Sequence, residues 1–171
     1  MRNQEISMTN QKGVVLITGL VFLVMMTILG VTAMQNTVLE ERMAGNLRDE
    51  NLAFQAAEAA LREGERFLEQ ITLPTFNGSD GLYHHASSPA PDPMTWTGWT
   101  TSGKAISTSI TGAASQPRYI IEQLVSVPFQ GNKGSAQQSP VTNMSNMYRV
   151  IARGVGGTDS AVVVLQSIYR R

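Results

Sequence analysis

The sequence contains no cysteine, and this absence excludes a whole set of structures and chemistries. Without thiols the chain cannot form a disulfide, a thiolate zinc site or an iron–sulfur cluster. It also lacks a charge excess of either sign, because 13 basic residues balance 13 acidic ones. Nucleic-acid-binding proteins usually carry a basic excess, so we expect no nucleic-acid partner. The chain of 171 residues suits one packed domain with an appendage.

Catalytic and metal-binding motifs are missing as well. No Gly-x-Ser-x-Gly turn or glycine-rich phosphate loop occurs in the sequence. His84 and His85 fall in a segment that we predict to be a loop, with no further ligand at metal-binding spacing. Residues 77–81 have a weak likeness to a calcium loop but lack its terminal glutamate. We therefore predict no enzyme activity, no catalytic residue, no metal site and no cofactor.

A long apolar run stands near the start of the sequence. Residues 14–34 contain no charged side chain over 21 positions. A helix of this length spans roughly 30 Å, which is the thickness of the hydrocarbon core of a bilayer. The hydroxyls of its threonines can bond to carbonyls of their own helix, so they are compatible with lipid. The run therefore predicts a transmembrane helix at 14–34.

The flanking charges predict how this helix is oriented. Residues 1–13 carry Arg2 and Lys12, and a short basic flank stays on the cytoplasmic side of a membrane. The long C-terminal part is then expected on the other side. The alternative is an ordinary secretory signal that is cleaved after Ala33. The apolar run is long for such a signal, and the helical spacing of apolar residues continues beyond Ala33.

An apolar stripe at helical spacing follows the run and reaches residue 71 without a proline. We expect one helix from Val14 to Ile71, about 87 Å long at 1.5 Å per residue. Its second half, 35–71, is amphipathic, and we expect the stripe to face the core of the C-terminal domain, the head. The stripe consists of Phe54, Ala57, Leu61, Gly64, Leu68 and Ile71.

The segment 72–118 is rich in proline, glycine, serine and threonine, and we predict an irregular connecting region there. It contains Trp96 and Trp99, which we interpret as a lid over the sheet, with an exposed adhesive patch as the alternative. Three β-rich runs follow within 119–171, and a glycine-rich turn at 156–159 joins the last two as a hairpin. These signals predict an α+β fold in which a long helix packs against an antiparallel sheet.

Together these features resemble a type IV pilin. The short basic leader ends in Lys12-Gly13, and the apolar run begins directly after that glycine. The segment 39–65, LEERMAGNLRDENLAFQAAEAALREGE, is similar to the N-terminal region of PilX-type minor pilins, and the hairpin 148–170 is similar to the end of the same family. The likeness covers residues 10–70 and 148–170 and leaves the middle unmatched.

The resemblance implies processing and a set of partners. A prepilin peptidase would cleave the leader between Gly13 and Val14 and methylate the new amine. The subunit would wait in inner-membrane lipid as a single-pass protein with a periplasmic head. It would then meet the inner-membrane assembly platform, other minor pilins and the major pilin, and leave the lipid for the pilus.

Two departures from the major pilins point to a minor subunit. Major pilins commonly begin with Phe and carry Glu at the fifth mature position, where this chain has Val14 and Thr18. They also often close a loop with a disulfide, which this chain cannot form. The resemblance therefore implies a minor pilin of the tip or initiating complex, which would support adhesion or twitching motility. Two alternatives stay open, a tip pseudopilin of a type II secretion system and a bitopic envelope protein with a periplasmic binding module.

Overall fold

The computed structural model describes residues 12–129 and 143–171. It begins with one helix, α1 (Lys12–Leu68). The chain divides into two units, one up to Gly45 and the other from Asn46 to Arg171. The second unit is the head and contains the last part of α1 and all of the strands that the structure describes.

The head contains a mixed, mostly antiparallel sheet. Its path is β1–β3–β6–β7, and β2 pairs with β3 outside this path. The pairing of β1 with β3 is parallel, while the β2–β3, β3–β6 and β6–β7 pairings are antiparallel. A separate two-stranded sheet pairs β4 with β5. The elements after α1 are β1 (Leu82–His84), α2 (Trp99–Ser102), β2 (Lys104–Ala105), β3 (Arg118–Gln123), β4 (Val127–Phe129), β5 (Asn143–Ser145), β6 (Met147–Val155) and β7 (Val162–Arg170).

One face of the five-stranded sheet, the helix face, packs against α1. Alternate residues of the strands point to this face, as the two-residue period of a β-strand requires. They form one hydrophobic cluster with the buried side of α1. This cluster includes Ala60, Leu68, Tyr119, Ile121, Tyr148, Val150 and Ala152.

The contact between α1 and the sheet is close because small residues lie on both sides of it. The alanines of α1 at positions 53, 56, 57 and 60 are fully buried. On β6, Gly154 lies so near the helix that an added Cβ would overlap the backbone of Ala53 and Ala57. On α1 itself, a Cβ at Gly64 would come within 2.6 Å of a methyl group of Val150. The fit therefore depends on glycine at both positions.

This close contact corrects part of the expected stripe. Phe54 does not belong to the core, because 46% of its surface is exposed. The neighbouring alanines face the sheet instead, since a phenylalanine there would hold the helix away from β6. Leu61 is half-buried against the core and Leu68 is fully buried. Ile71 lies beyond the end of the helix and is 97% exposed.

The opposite face of the sheet, the outer face, is covered by the connecting region. Trp99 is buried with Ile120 and Ile151, and its indole N–H donates to the carbonyl oxygen of Pro93 at 3.3 Å. Trp96 is half-buried, with its ring 5.1 Å from that of Trp99 and edge-on to Tyr83. The interpretation of the two tryptophans as a lid is confirmed.

The α+β class and the hairpin between β6 and β7 agree with the sequence analysis. The connecting region is more regular than its composition suggests, because β1, α2 and β2 lie within it. The turns before β1 have backbone angles that favour glycine, with φ of 88° at Gly78 and 73° at Gly81. The polar loop predicted between the first two β-rich runs lies partly outside the described residues, because 130–142 are not described, while β4 and β5 lie on either side of that gap.

The close contact generates a prediction for Gly154. Gly154→Ala should lower the stability of the head by about 1–3 kcal/mol, because its methyl group has no space against α1. Both tryptophans of the chain lie in the head, so their fluorescence during thermal unfolding in detergent micelles measures this effect. The matched control is Gly45→Ala, since nothing lies within 4 Å of a Cβ there. A normal melting temperature for Gly154→Ala would contradict the close packing.

Candidate functional site

The apolar segment 14–34 is the first candidate site, because its side chains are unburied. Within the described residues, α1 is the one helix long and apolar enough to cross a membrane, and none of its most apolar stretch is buried. Exposed fractions include 62% at Val14, 67% at Phe22 and 70% at Leu29. In water such a surface would be unfavourable, so it requires lipid or other helices.

The hydroxyl groups of this segment are satisfied within the helix itself. Thr18 donates from Oγ1 toward the carbonyl oxygens of Val14 and Val15, each at 3.0 Å. Thr27 and Thr32 bond in the same way to carbonyls three and four residues earlier, at 2.7 and 2.9 Å. The segment therefore presents no unsatisfied hydroxyl to lipid or to a neighbouring helix.

The predicted cleavage position lies in the first turn of α1. Gly13 and Val14 are both helical, and a Cβ at Gly13 would meet nothing within 4 Å. The packing of this chain therefore does not explain the glycine at position 13. Residues 1–11 of the predicted leader lie outside the described residues.

The helix and the β6–β7 hairpin are joined by Asp49. Its carboxylate accepts hydrogen bonds from the backbone N–H groups of Gly157 and Thr158, the latter at 3.2 Å, and from the Thr158 hydroxyl. The Thr158 hydroxyl and these N–H groups hold the pKa of Asp49 below its ordinary value of 3.8, although desolvation opposes them. Asp49 lies outside the apolar segment 14–34. We call this set of contacts the Asp49 clasp.

An ion pair with a buried carboxylate fixes the lid to the outer face. Glu122 is 3% exposed, and its carboxylate pairs with the guanidinium of Arg149 on the neighbouring strand. The same carboxylate accepts a hydrogen bond from the backbone N–H of Ala90, at 3.0 Å, in the connecting region. Removal of Arg149 would leave the buried carboxylate of Glu122 without its counter-charge, which is strongly destabilising.

The histidines show no metal-binding geometry. His84 is the last residue of β1 rather than part of a loop, and its ring stacks on that of His85 at 4.8 Å. His85 Nδ1 lies 3.2 Å from the carbonyl oxygen of Gln123. Within residues 12–129 and 143–171, no three His, Asp or Glu side chains come together in a way that could hold a metal ion.

The sequence analysis missed both the Asp49 clasp and the Glu122 ion pair. A glutamate inside the apolar run of β3 is a signal for a buried partner, because a lone carboxylate there would be costly. Its partner Arg149 follows only from the register of β3 against β6. The clasp joins residues more than 100 positions apart, so only the tertiary structure brings them together.

Comparison with protein families gives two matches. The family model described as "Type IV pilus assembly protein PilX C-term" matches residues 70–171. The family model described as "PilX N-terminal" matches residues 12–62. Comparison with curated proteins and with solved structures gives no significant match. The two matched ranges together include α1 up to Arg62 and all of the described strands.

The clasp generates a prediction with a defined pH dependence. Asp49→Ala should lower the melting temperature of the head at neutral pH, because two backbone N–H groups and a hydroxyl lose their acceptor. The pKa of Asp49 is lowered in the folded state, so the stabilisation is fully present above about pH 5 and is lost as the pH falls through the folded pKa. The difference between wild type and variant should therefore shrink below about pH 4.

Glu50→Ala is the control for this measurement, because it removes the adjacent exposed carboxylate, for which no hydrogen bond is seen among the described residues. Its melting temperature should stay near that of the wild type. Equal effects of Asp49→Ala and Glu50→Ala at neutral pH would contradict a specific role for the clasp.

Proposed function

The chain belongs to the PilX family of type IV pilus assembly proteins, and we propose that this minor pilin is one of the subunits that initiate the pilus and stay at its tip. The resemblance found in the sequence is thereby confirmed, and the family is one of structural pilus components rather than enzymes. Membership also implies association with other pilins. Its position within the pilus and its contribution to adhesion or twitching motility belong to the proposal.

The observation that supports the tip position is the chemistry of Thr18. In major pilins a glutamate commonly stands at this position of the mature chain, and its carboxylate is expected to meet the free amine of the subunit ahead. Here the side chain is neutral, and its hydroxyl bonds to Val14 and Val15 of its own helix. Thr18 therefore does not require a partner from another subunit.

A carboxylate in an apolar helix is costly in lipid, by roughly 2.5–3.5 kcal/mol on insertion scales. A subunit that is added behind another one recovers this cost when its carboxylate meets an amine. The first subunit has no amine ahead of it and would recover nothing. A neutral residue at position 18 is therefore suited to a subunit that begins the filament.

The proposal also states where each part of the protein lies before and during assembly of the pilus. Arg2 and Lys12 would hold the leader in the cytoplasm, with the helix in the inner membrane and the head in the periplasm. A prepilin peptidase would cut between Gly13 and Val14 and methylate the new amine. The assembly platform would then move α1 from lipid into contact with the helices of other minor pilins and of the major pilin.

Two alternatives are less well supported. A tip pseudopilin of a type II secretion system usually has a large helical insertion, whereas the one helix described between α1 and β3 is α2, with four residues. A bitopic envelope protein without a filament role would keep its leader. The N-terminus of the protein in cells therefore separates the pilin proposal from the second alternative.

Substitution of Gly13 tests the processing. Gly13→Leu should leave the protein in the membrane but uncleaved, because the transmembrane helix is intact while the peptidase site is blocked. Intact-mass analysis of the wild type should show a chain that begins at Val14 and carries one additional methyl group. Gly19→Leu is the matched control, because both glycines are free of contacts within 4 Å. Cleavage of Gly13→Leu at the normal position would refute the assigned junction.

Quantitative mass spectrometry and immunogold labelling of sheared pili test the tip position. We expect a few copies per filament, with label at one end. Thr18→Val should give the same number of pili, because the Thr18 hydroxyl bonds only to its own helix in the described structure. Label along the whole shaft, or absence of the protein from sheared pili, would contradict the proposal.

A further inference from the structure

The open edge of the sheet is formed by β7, and its backbone groups alternate between β6 and the open side. Arg171 exchanges two backbone hydrogen bonds with Asn146, each at 2.9 Å, and the Gly156 N–H donates to the carbonyl oxygen of Ala161 at 2.8 Å. Because such pairs recur at every second residue of an antiparallel ladder, the odd-numbered residues of β7 bond to β6. The even-numbered residues direct their N–H and C=O groups to the open side, and they include Val162, Val164, Gln166 and Ile168.

The sequence of β7 and the strands described around it lack the usual protection against further pairing. Exposed edge strands are commonly short, or carry lysine, proline or a bulge. β7 has nine residues, VVVLQSIYR, with no proline, glycine or lysine and with its single charge at the end. On the far side of the sheet, β1 and β2 have three and two residues. No strand in the described part of the chain pairs with the open side of β7.

The outer face of β7 is covered in part among the described residues, since Val164 is half-buried against the cluster of Trp99, Ile120 and Ile151 while residues nearer its ends stay exposed. The lid buries Ile120 and Ile151 on the central strands. At the edge, Val162 is 40% exposed and Ile168 is 61% exposed. An added strand would therefore find both open backbone groups and apolar side chains at the same place.

The charges near this edge indicate the chemistry of what binds there. Arg118 and Arg153 stand directly opposite each other on β3 and β6, and like charges in this arrangement repel. Arg118 donates to the carbonyl oxygen of Gly103, and no carboxylate pairs with Arg153 among the described residues. The neighbour of Arg153 on β7 is the small Val164. The backbone of an added strand would lie about 10 Å from the backbone of β6, with Val164 between them. The side chain of Arg153 and an Asp or Glu side chain on the added strand are together long enough to bridge this distance.

We propose that the open edge of β7 is a docking site for an extended segment of a different protein chain, which adds a strand to the sheet and places a carboxylate near Arg153. Backbone hydrogen bonds to the even-numbered residues would provide affinity, and the carboxylate would provide selectivity. This docking site does not depend on the tip position proposed above.

A second copy of the chain does not fit this edge in the usual way. Two β7 strands paired antiparallel would be related by a twofold axis perpendicular to the sheet. The α1 segment lies along β6, with Ala53 at Gly154 and Gly64 at Val150. The axis would therefore place Asn46, where the chain enters the head, at opposite ends of the two copies. Both copies have to enter the same membrane, which opposes this antiparallel pair, and the partner that we propose is therefore a different chain.

Photocrosslinking in piliated cells tests the proposal with the full-length protein. Benzoylphenylalanine at Gln166 should give one adduct with another protein, and the same residue at exposed Thr101 in the lid should not. Mass spectrometry of the adduct should map the crosslink to an extended segment that contains Asp or Glu. Ile168→Pro should reduce the adduct at least tenfold, because it removes an open-side N–H and leaves the β6 ladder intact. Ile168→Val should retain it.

The charge is tested separately by Arg153→Glu, which should also reduce the adduct at least tenfold, whereas Arg153→Lys should retain most of it. Tryptophan fluorescence checks that each variant is folded. If Ile168→Pro unfolds, Ile168→Lys replaces it, because an edge lysine also opposes strand addition. An adduct of twice the subunit mass, a lipid adduct, no adduct, or a yield unchanged by both edge variants would overturn the proposal. Loss of tip labelling with the adduct retained would refute only the tip position.

Discussion

The head depends on the close contact between the alanine surface of α1 and Gly154 of β6. An alanine surface gains little from each side chain, so its stability comes from the short distance between helix and sheet. At that distance a large side chain does not fit between the helix and β6, so Phe54 faces outward. It also brings Asp49 within reach of the β6–β7 turn, where it accepts three hydrogen bonds. The position of the hairpin therefore follows from the packing of α1.

The sheet is covered on both faces but to different extents. On the helix face, α1 covers β3 and β6, and Ser167 of β7 bonds to Glu65 of the helix at 2.7 Å. On the outer face, the lid is fixed by Glu122 and buries Ile120 and Ile151 on the central strands, with Val164 of β7 only partly buried beside them. β7 is therefore held on one side and exposed on the other. A subunit with this asymmetry can keep its own fold while it offers an edge to another chain.

The apolar segment 14–34 follows a different principle from the head. Its side chains are exposed, and its hydroxyls bond to carbonyls of their own helix. Such a surface is compatible both with lipid and with other helices, because neither demands polar contacts. The proposed function would move the segment from the first environment to the second. Specific recognition is then left to the head.

Much of the fold follows from the sequence, because it is encoded by patterns between neighbouring residues. The uncharged run 14–34, the helical stripe and the glycine-rich turn 156–159 are local signals, and they predicted a helix apolar enough to cross a membrane, its amphipathic continuation and the hairpin. The parallel pairing of β1 with β3 was not predictable, because β1 is three residues long and its pairing depends on distant residues.

The tertiary structure alone decided the details of the candidate sites. The helical spacing of apolar residues was compatible with either Phe54 or Ala53 facing the sheet. The small space beside Gly154 accommodates only the alanine. The partner of Glu122 depended on strand register, and the partner of Asp49 on the distance between α1 and the hairpin. The order of the strands made β7 an open edge and left Arg153 facing Arg118. Local sequence patterns carry no information on such contacts, because the residues that make them meet only when the chain is folded.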